Sequence, residues 1–179
     1  MGAEEAVVRV QTLVPAAEKE SNIAETAKGV LEKLLALMGV AGSVVPQAQP
    51  IVESEEETTA FIAFDVNGDD LGILIGRRGE TLSYLQYIVG LIVGNQTKTW
   101  VPVIVDVAGY KRRRYQALQV LARHMAEQVQ AKGEPFTLEP MSAYERRIIH
   151  LTLADHPDVT TQSTGWGEAR RVVIQLREQ

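Results

Sequence analysis

An apolar stretch near the middle of the chain is broken by a Gly-Arg-Arg-Gly turn and then resumes as a helix, over residues 71–82. Gly76 and Gly79 permit backbone angles that other residues avoid, and they keep side chains away from the peptide N–H groups of the turn. Arg77 and Arg78 add positive charge between them. A phosphate held there would also lie at the N-terminal end of the following helix. The turn is therefore predicted to bind a sugar-phosphate backbone; the alternative is a turn that only joins two helices.

The segments on either side of the turn predict a sheet covered by helices. Apolar residues recur at helical spacing after Asn22 and stop at Gly39, a residue type that commonly follows a helix. Later runs rich in Val, Ile and Phe indicate strands. In chain order we predict a helix over 22–38, an edge strand over 44–52, a strand over 58–66, a short helix before the turn, a helix from 80 to a stop at Gly94-Asn95 and a strand over 100–107. This order describes an α+β fold, a three-stranded sheet with helices on one face.

The same order of elements, with Ile75-Gly76-Arg77-Arg78-Gly79 between two helices, resembles the KH domain in its type II arrangement. Residues 22–108 carry this resemblance, and residues 1–21 are expected to form a short lead-in. The resemblance implies binding of roughly four nucleotides of single-stranded RNA or single-stranded DNA. The turn would clamp the nucleic-acid backbone, and an apolar groove beside it would accept the bases.

Positive charge is concentrated at the start of the next long helix, which is predicted to end at Gly133. The four consecutive cations are Lys111, Arg112, Arg113 and Arg114. They oppose the helix macrodipole and repel one another, so helix stability does not explain them. Binding to phosphates would explain the four cations, because each phosphate that Lys or Arg neutralises also releases counterions. We predict that at least two of the four contact nucleic acid; the alternative is ordinary surface ion pairs, for example with Asp106 or Glu127.

The last third of the chain predicts a second, smaller α+β unit. We expect a short strand over 134–138, a helix that begins after Ser142 and a pair of strands over 159–163 and 170–176. Ser142 and Glu145 have the spacing of a capping box. Arg146 and His150 are four residues apart, so they share one helical face and can address the same anion. The alternative for His150 is a packed histidine satisfied by a backbone carbonyl.

The run from Glu139 to His150, followed by Asp158-Val159-Thr160-Thr161 and Arg170-Arg171-Val172-Val173-Ile174, resembles the small R-xxx-H nucleic-acid-binding domain. A KH-like unit followed by this domain resembles the Jag/KhpB (SpoIIIJ-associated) family. Residues 109–179 would then form the second domain, entered through the long helix. The resemblance implies RNA binding, and also contact with a small KH partner protein or a membrane-insertion factor. Many Jag proteins carry a further N-terminal domain, for which we expect no counterpart in the residues before 22.

Trp166 is the aromatic residue with the most distinctive setting, because Gly165 and Gly167 flank it. A tryptophan in such a loop is a candidate for stacking on an unpaired base. It is equally suited to covering the end of the sheet.

The charges are distributed unevenly along the chain. The net charge is −5, but residues 1–75 have a balance of −9 and residues 76–179 a balance of +4. This asymmetry permits a local basic surface on an acidic protein. The chain has no cysteine, no apolar run long enough to span a bilayer and no secretory signal pattern, so a cytoplasmic protein without direct membrane insertion is expected.

These features favour a non-catalytic, regulatory RNA-binding protein that needs no metal or cofactor. The rival is a nuclease that uses His150 with Glu145 or Asp155 as acid and base. No paired-carboxylate metal site, nucleophile elbow or GxxxxGK[ST] phosphate loop occurs in the sequence, which weighs against an enzyme. A third possibility is a protein–protein adaptor, for which the acidic N-terminal half offers a docking surface.

Overall fold

The computed structural model describes residues 16–48 and 62–177, and these form a mixed α+β fold as predicted. Residues 1–15 of the expected lead-in, residues 49–52 of the predicted edge strand and residues 58–61 of the next predicted strand lie outside the described residues. In chain order the elements are α1 (Ala16–Leu37), β1 (Ser43–Pro46), β2 (Ile62–Asn67), α2 (Gly72–Ile75), a 3₁₀ turn (Arg77–Gly79), α3 (Glu80–Thr97), β3 (Val103–Val107), α4 (Tyr110–Lys132), β4 (Phe136–Thr137), α5 (Ala143–Leu153), β5 (Val159–Thr164), a second 3₁₀ turn (Gly167–Ala169) and β6 (Arg171–Leu176).

The first unit is a three-stranded sheet in the order β1-β2-β3. β1 pairs with β2 antiparallel, whereas β2 and β3 run parallel. A parallel pair needs a crossover connection, and α2, the Gly-Arg-Arg-Gly turn and α3 supply it. Phe64 and Val105 on the sheet pack with Leu31 of α1 and Val89 of α3 in one buried core. The turn therefore lies within the crossover that connects β2 to β3.

Two helix boundaries differ from the sequence prediction. α1 begins at Ala16, ahead of the apolar periodicity that starts after Asn22. The stop predicted at Gly94-Asn95 is wrong, because α3 continues to Thr97 and ends where Lys98 takes a left-handed conformation, with φ 54°. Gly94 lies inside the helix, where a Cβ would make an ordinary van der Waals contact of 3.6 Å with the Trp100 ring.

The second unit packs α4 and α5 against a sheet in the order β4-β6-β5. Its core contains Leu118 and Val129 of α4, Ile149 of α5 and Ile174 of β6. The capping box predicted for α5 is present: the Ser142 hydroxyl accepts from the Glu145 N–H at 3.2 Å, and the Glu145 carboxylate accepts from the Ser142 N–H at 3.1 Å. Within the described part of the chain, no helix is both long enough and apolar enough to cross a membrane.

Candidate nucleic-acid interface

The Gly-Arg-Arg-Gly turn is built from three residues with positive φ. Gly76 has φ 67° and ψ −166°, Arg78 has φ 55° and Gly79 has φ 83°. Gly79 is the N-cap of α3 and has no side chain to bond the first N–H groups of that helix. Its Cα also faces the Tyr110 ring closely, since a Cβ there would lie 3.0 Å from the ring. The turn thus leaves the first N–H groups of α3 without a side-chain cap.

The two arginines of the turn have different surroundings. Arg77 is exposed to solvent. Arg78 is half-buried: its guanidinium donates to the Pro140 carbonyl oxygen and forms an ion pair with the Glu139 carboxylate. Both partners belong to the segment that precedes α5, so Arg78 joins the turn to the second unit.

The four cations at the start of α4 also separate into two kinds. Lys111 is buried, with 9% of its surface exposed, and its Nζ donates to Gln86 Oε1 at 2.8 Å. Arg114 donates through Nε to Glu145 Oε1 at 2.7 Å. Arg112 and Arg113 are exposed, and the Arg113 guanidinium donates to the Ala108 carbonyl oxygen. Arg112 and Arg113 are therefore the two of the four that are open to a strand in solution.

Arg146 and His150 lie on one face of α5, as their spacing predicted. Arg146 donates through Nη1 to the Met141 carbonyl oxygen at 2.8 Å. The pKa of Arg146 is lowered by burial and by the nearby charge of Arg170. The Arg146 and Arg170 guanidinium groups together make this face a strong attractor for an anion.

His150 is held by strand β5 through both ring nitrogens. Nδ1 lies 2.6 Å from Thr161 Oγ1, and Nε2 lies 2.8 Å from Ser163 Oγ. Two side-chain hydroxyls thus take the place of the backbone carbonyl considered from the sequence. Burial, followed by the charges of Arg146 and Arg170, lowers the pKa of His150 below 6.5. The neutral form of the imidazole is therefore favoured, and the two hydroxyl contacts orient the ring.

A cleft of about 760 Å³ separates the turn from α5. Six of the predicted nucleic-acid contacts line it: Arg77, Arg78, Gly79, Lys111, Arg114 and Arg146. Glu139 and Glu145 line it as well, and they neutralise Arg78 and Arg114. The fold therefore brings the turn and Arg146 to the walls of one cleft, with some of their charge already paired, whereas His150, Arg112 and Arg113 do not line it.

Several exposed aromatic residues were missed in the sequence. Trp100 is 70% exposed and Tyr87 is 62% exposed, and both border a smaller recess of about 210 Å³ between α3 and the start of β3. Gly90 forms part of its wall, and a Cβ there would meet nothing within 4 Å. The sequence signal that could have revealed this recess was an aromatic residue, Tyr87, at a non-core position of α3. Trp166, which the sequence did single out, is 88% exposed.

Comparisons with known proteins match both units. Residues 36–105 match the family model of the KhpA/KhpB KH domain, and residues 116–176 match the family model of the R-xxx-H domain. "RNA-binding protein KhpB" of Clostridium symbiosum is 34% identical over 179 residues, covering 100% of this chain and 74% of that protein. Its counterpart in Bacillus subtilis is 32% identical over 142 residues, covering 78% of this chain and 67% of that protein. For Lactiplantibacillus plantarum the identity is 37%, over 60% of this chain but 33% of the relative.

Proposed function

Because this chain belongs to the KhpB family, we propose that it is a non-catalytic regulatory protein that binds single-stranded RNA in the cytoplasm. The single observation that carries the proposal is the shared cleft, which Arg77 and Arg78 border on one side and Arg146 on the other. One strand that engages both points gains effective concentration, since the second contact becomes intramolecular. Arg112 and Arg113, exposed on α4, supply further phosphate contacts.

Base contacts are proposed for the recess between α3 and the start of β3. Tyr87 and Trp100 present exposed aromatic faces there, and stacking on such faces binds unpaired bases of any sequence. A duplex would keep its bases stacked inside, so this arrangement favours a single strand. Trp166 offers a further stacking surface in the second unit. Single-stranded DNA would compete for the same surface wherever the 2′-hydroxyl is not contacted.

Two units are proposed as the functional parts, residues 22–108 and residues 109–179. The first hydrophobic core ends at Val107 and the second begins at Leu118. The start of α4 joins them, because Lys111 bonds Gln86 of α3 while Arg114 bonds Glu145 of α5. Such contacts favour two units held in a defined arrangement.

A nuclease is less well supported by the surroundings of His150. Glu145, one proposed acid–base partner, is 6% exposed and already bonds Arg114 and the Ser142 N–H. Both nitrogens of His150 are bonded to β5 hydroxyls. Among residues 16–48 and 62–177, no three metal-binding side chains are close enough to hold an ion.

An adaptor function is the second candidate, and one surface favours it. Tyr84, Ile88 and Leu91 form an exposed stripe along α3, at the spacing of one helical face. The only charged residue of α3 is Glu80, at its start. An uncharged stripe of this kind suits docking to a small KH partner protein.

Fluorescence anisotropy with a labelled, unstructured RNA of about twelve nucleotides tests the proposed function. We expect binding at low salt, with a slope of log affinity against log salt of about −2 to −4, because three to five phosphates are neutralised. Titrations with single-stranded DNA and with double-stranded RNA of matched sequence measure the preference for single-stranded RNA.

Two outcomes would contradict the proposal. Absence of RNA binding at low salt would move the assignment to the adaptor. Cleavage of the RNA in Mg²⁺, if lost on His150→Ala, would identify a nuclease instead.

A further inference from the structure

Two of the arginines that are proposed to bind phosphate, Arg78 and Arg146, hold the same short segment of the chain. Arg78 of the turn donates to the Pro140 carbonyl oxygen, and Arg146 of α5 donates to the next carbonyl oxygen, that of Met141. The Glu139 carboxylate adds an ion pair to Arg78. Residues 139–141 thus bridge the two anion-binding points, although Arg78 and Pro140 are 62 positions apart in the sequence.

We propose that residues 139–141 act as an internal competitor of RNA, with the Glu139 carboxylate occupying the place of a phosphate at Arg78. This inference rests on the proposed RNA-binding function of the cleft. A carboxylate and a phosphate oxygen both accept charge-assisted hydrogen bonds from guanidinium, so they compete for the same donors. RNA must displace Glu139 before it engages Arg78 fully.

The exposure of the two side chains makes the exchange feasible. The Glu139 side chain is 77% exposed and that of Arg78 is 28% exposed, so the carboxylate pairs at the protein surface. Such ion pairs contribute little, and salt screens them. Several phosphates on one strand carry more charge and release counterions, which favours RNA in the exchange. Arg77, exposed beside Arg78, can contact the strand first.

The segment also couples the two units. A strand that draws Arg146 away from Met141 removes one contact of the segment, and a strand that draws Arg78 away removes the others. Each anion-binding point therefore contacts the same structural element, so RNA bound at one point acts on the element that the other point holds. The segment is still held by the Met141 N–H, which donates to the Arg170 carbonyl oxygen at 3.2 Å, and by the Met141 side chain, which is buried in the second core.

Glu139→Gln in the full chain tests the proposal, with Glu134→Gln as the matched control. Both remove one negative charge from exposed residues of the same connecting region. With the labelled single-stranded RNA at low salt, we expect Glu139→Gln to tighten binding about two- to fivefold more than Glu134→Gln, the size of a surface ion pair. In an Arg78→Ala background the difference between the two variants should disappear.

Equal affinities for Glu139→Gln and Glu134→Gln would overturn the competition. A gain in RNA affinity that persists in the Arg78→Ala background would also overturn the competition, because the loss of one negative charge from the protein would then explain it. In both cases the wild-type chain still binds RNA, so the proposed function stands. Failure of every variant to bind RNA at low salt would instead remove the proposed function and this inference with it.

Discussion

Gly76→Ala is expected to destabilise the first unit by about 2–4 kcal/mol and to weaken RNA binding more than tenfold. At φ 67° and ψ −166° this residue occupies a region of backbone space that is essentially restricted to glycine. A Cβ would also lie 2.8 Å from Thr81 Cβ and 3.1 Å from the Thr81 backbone nitrogen, so the start of α3 would have to move. Because the turn orients Arg77 and Arg78, its distortion also displaces the phosphate-binding groups.

Gly72→Ala is the matched control for this substitution. Gly72 is the first residue of α2, and a Cβ there would meet nothing within 4 Å. Its unfolding free energy should stay within about 1 kcal/mol of wild type, with any change toward greater stability. Urea unfolding followed by circular dichroism gives both values. Equal unfolding midpoints for the two variants would show that the turn tolerates a side chain, contrary to the geometry described.

The double substitution Arg146→Ala/His150→Ala is expected to weaken RNA binding about ten- to a hundredfold, the loss of one or two charge-assisted hydrogen bonds. Arg123→Ala/His124→Ala is the control, since it removes the same two residue types from exposed positions on α4. Titration with the labelled RNA measures both, after thermal unfolding has established that each variant folds. Equal affinities for the two double variants would exclude the α5 face from the interface.

Protonation of His150 makes both the stability of the protein and its affinity for RNA depend on pH. The pKa of His150 is lowered by burial, Arg146 and Arg170, so the unfolded chain takes up a proton near 6.5 and the folded protein only at lower pH. Without RNA, His150 therefore leaves the free energy of unfolding unchanged at pH values above its pKa in the unfolded chain. Stability is lost as the pH falls from that pKa to the lower pKa of the folded protein. Below the folded pKa the loss is complete and constant.

RNA binding has the opposite dependence on pH from stability, because a phosphate beside the imidazole favours the protonated form of His150. We expect affinity to rise about three- to tenfold as the pH falls from neutral toward about 5.5, through uptake of a proton on binding. His150→Ala should remove most of this rise, whereas His124→Ala should retain it. An identical pH profile for wild type and His150→Ala would contradict a phosphate contact at this residue.

The fold followed closely from local sequence patterns. Apolar spacing predicted the helices, and the Ser142–Glu145 capping box is confirmed because both of its partners lie within one helical turn. The resemblance to the KhpB family, drawn from the turn and the R-xxx-H run, is confirmed by the family models and relatives. The end of α3 was predicted wrongly because the left-handed residue that ends the helix is Lys98, not a glycine, and residue type alone does not specify this.

The sequence by itself determined where the charges and turns lie along the chain. The Gly-Arg-Arg-Gly turn has its positive φ angles because glycine relieves local steric limits, and Arg146 and His150 share a face because the helical repeat places them there. Only the tertiary structure decided which cations face solvent. Lys111 meets Gln86, Arg114 meets Glu145 and Arg78 meets residues 139–140 through contacts across 25 to 62 positions. Spacing fixes the direction of a side chain on its own element, but the packing of distant elements fixes what it touches.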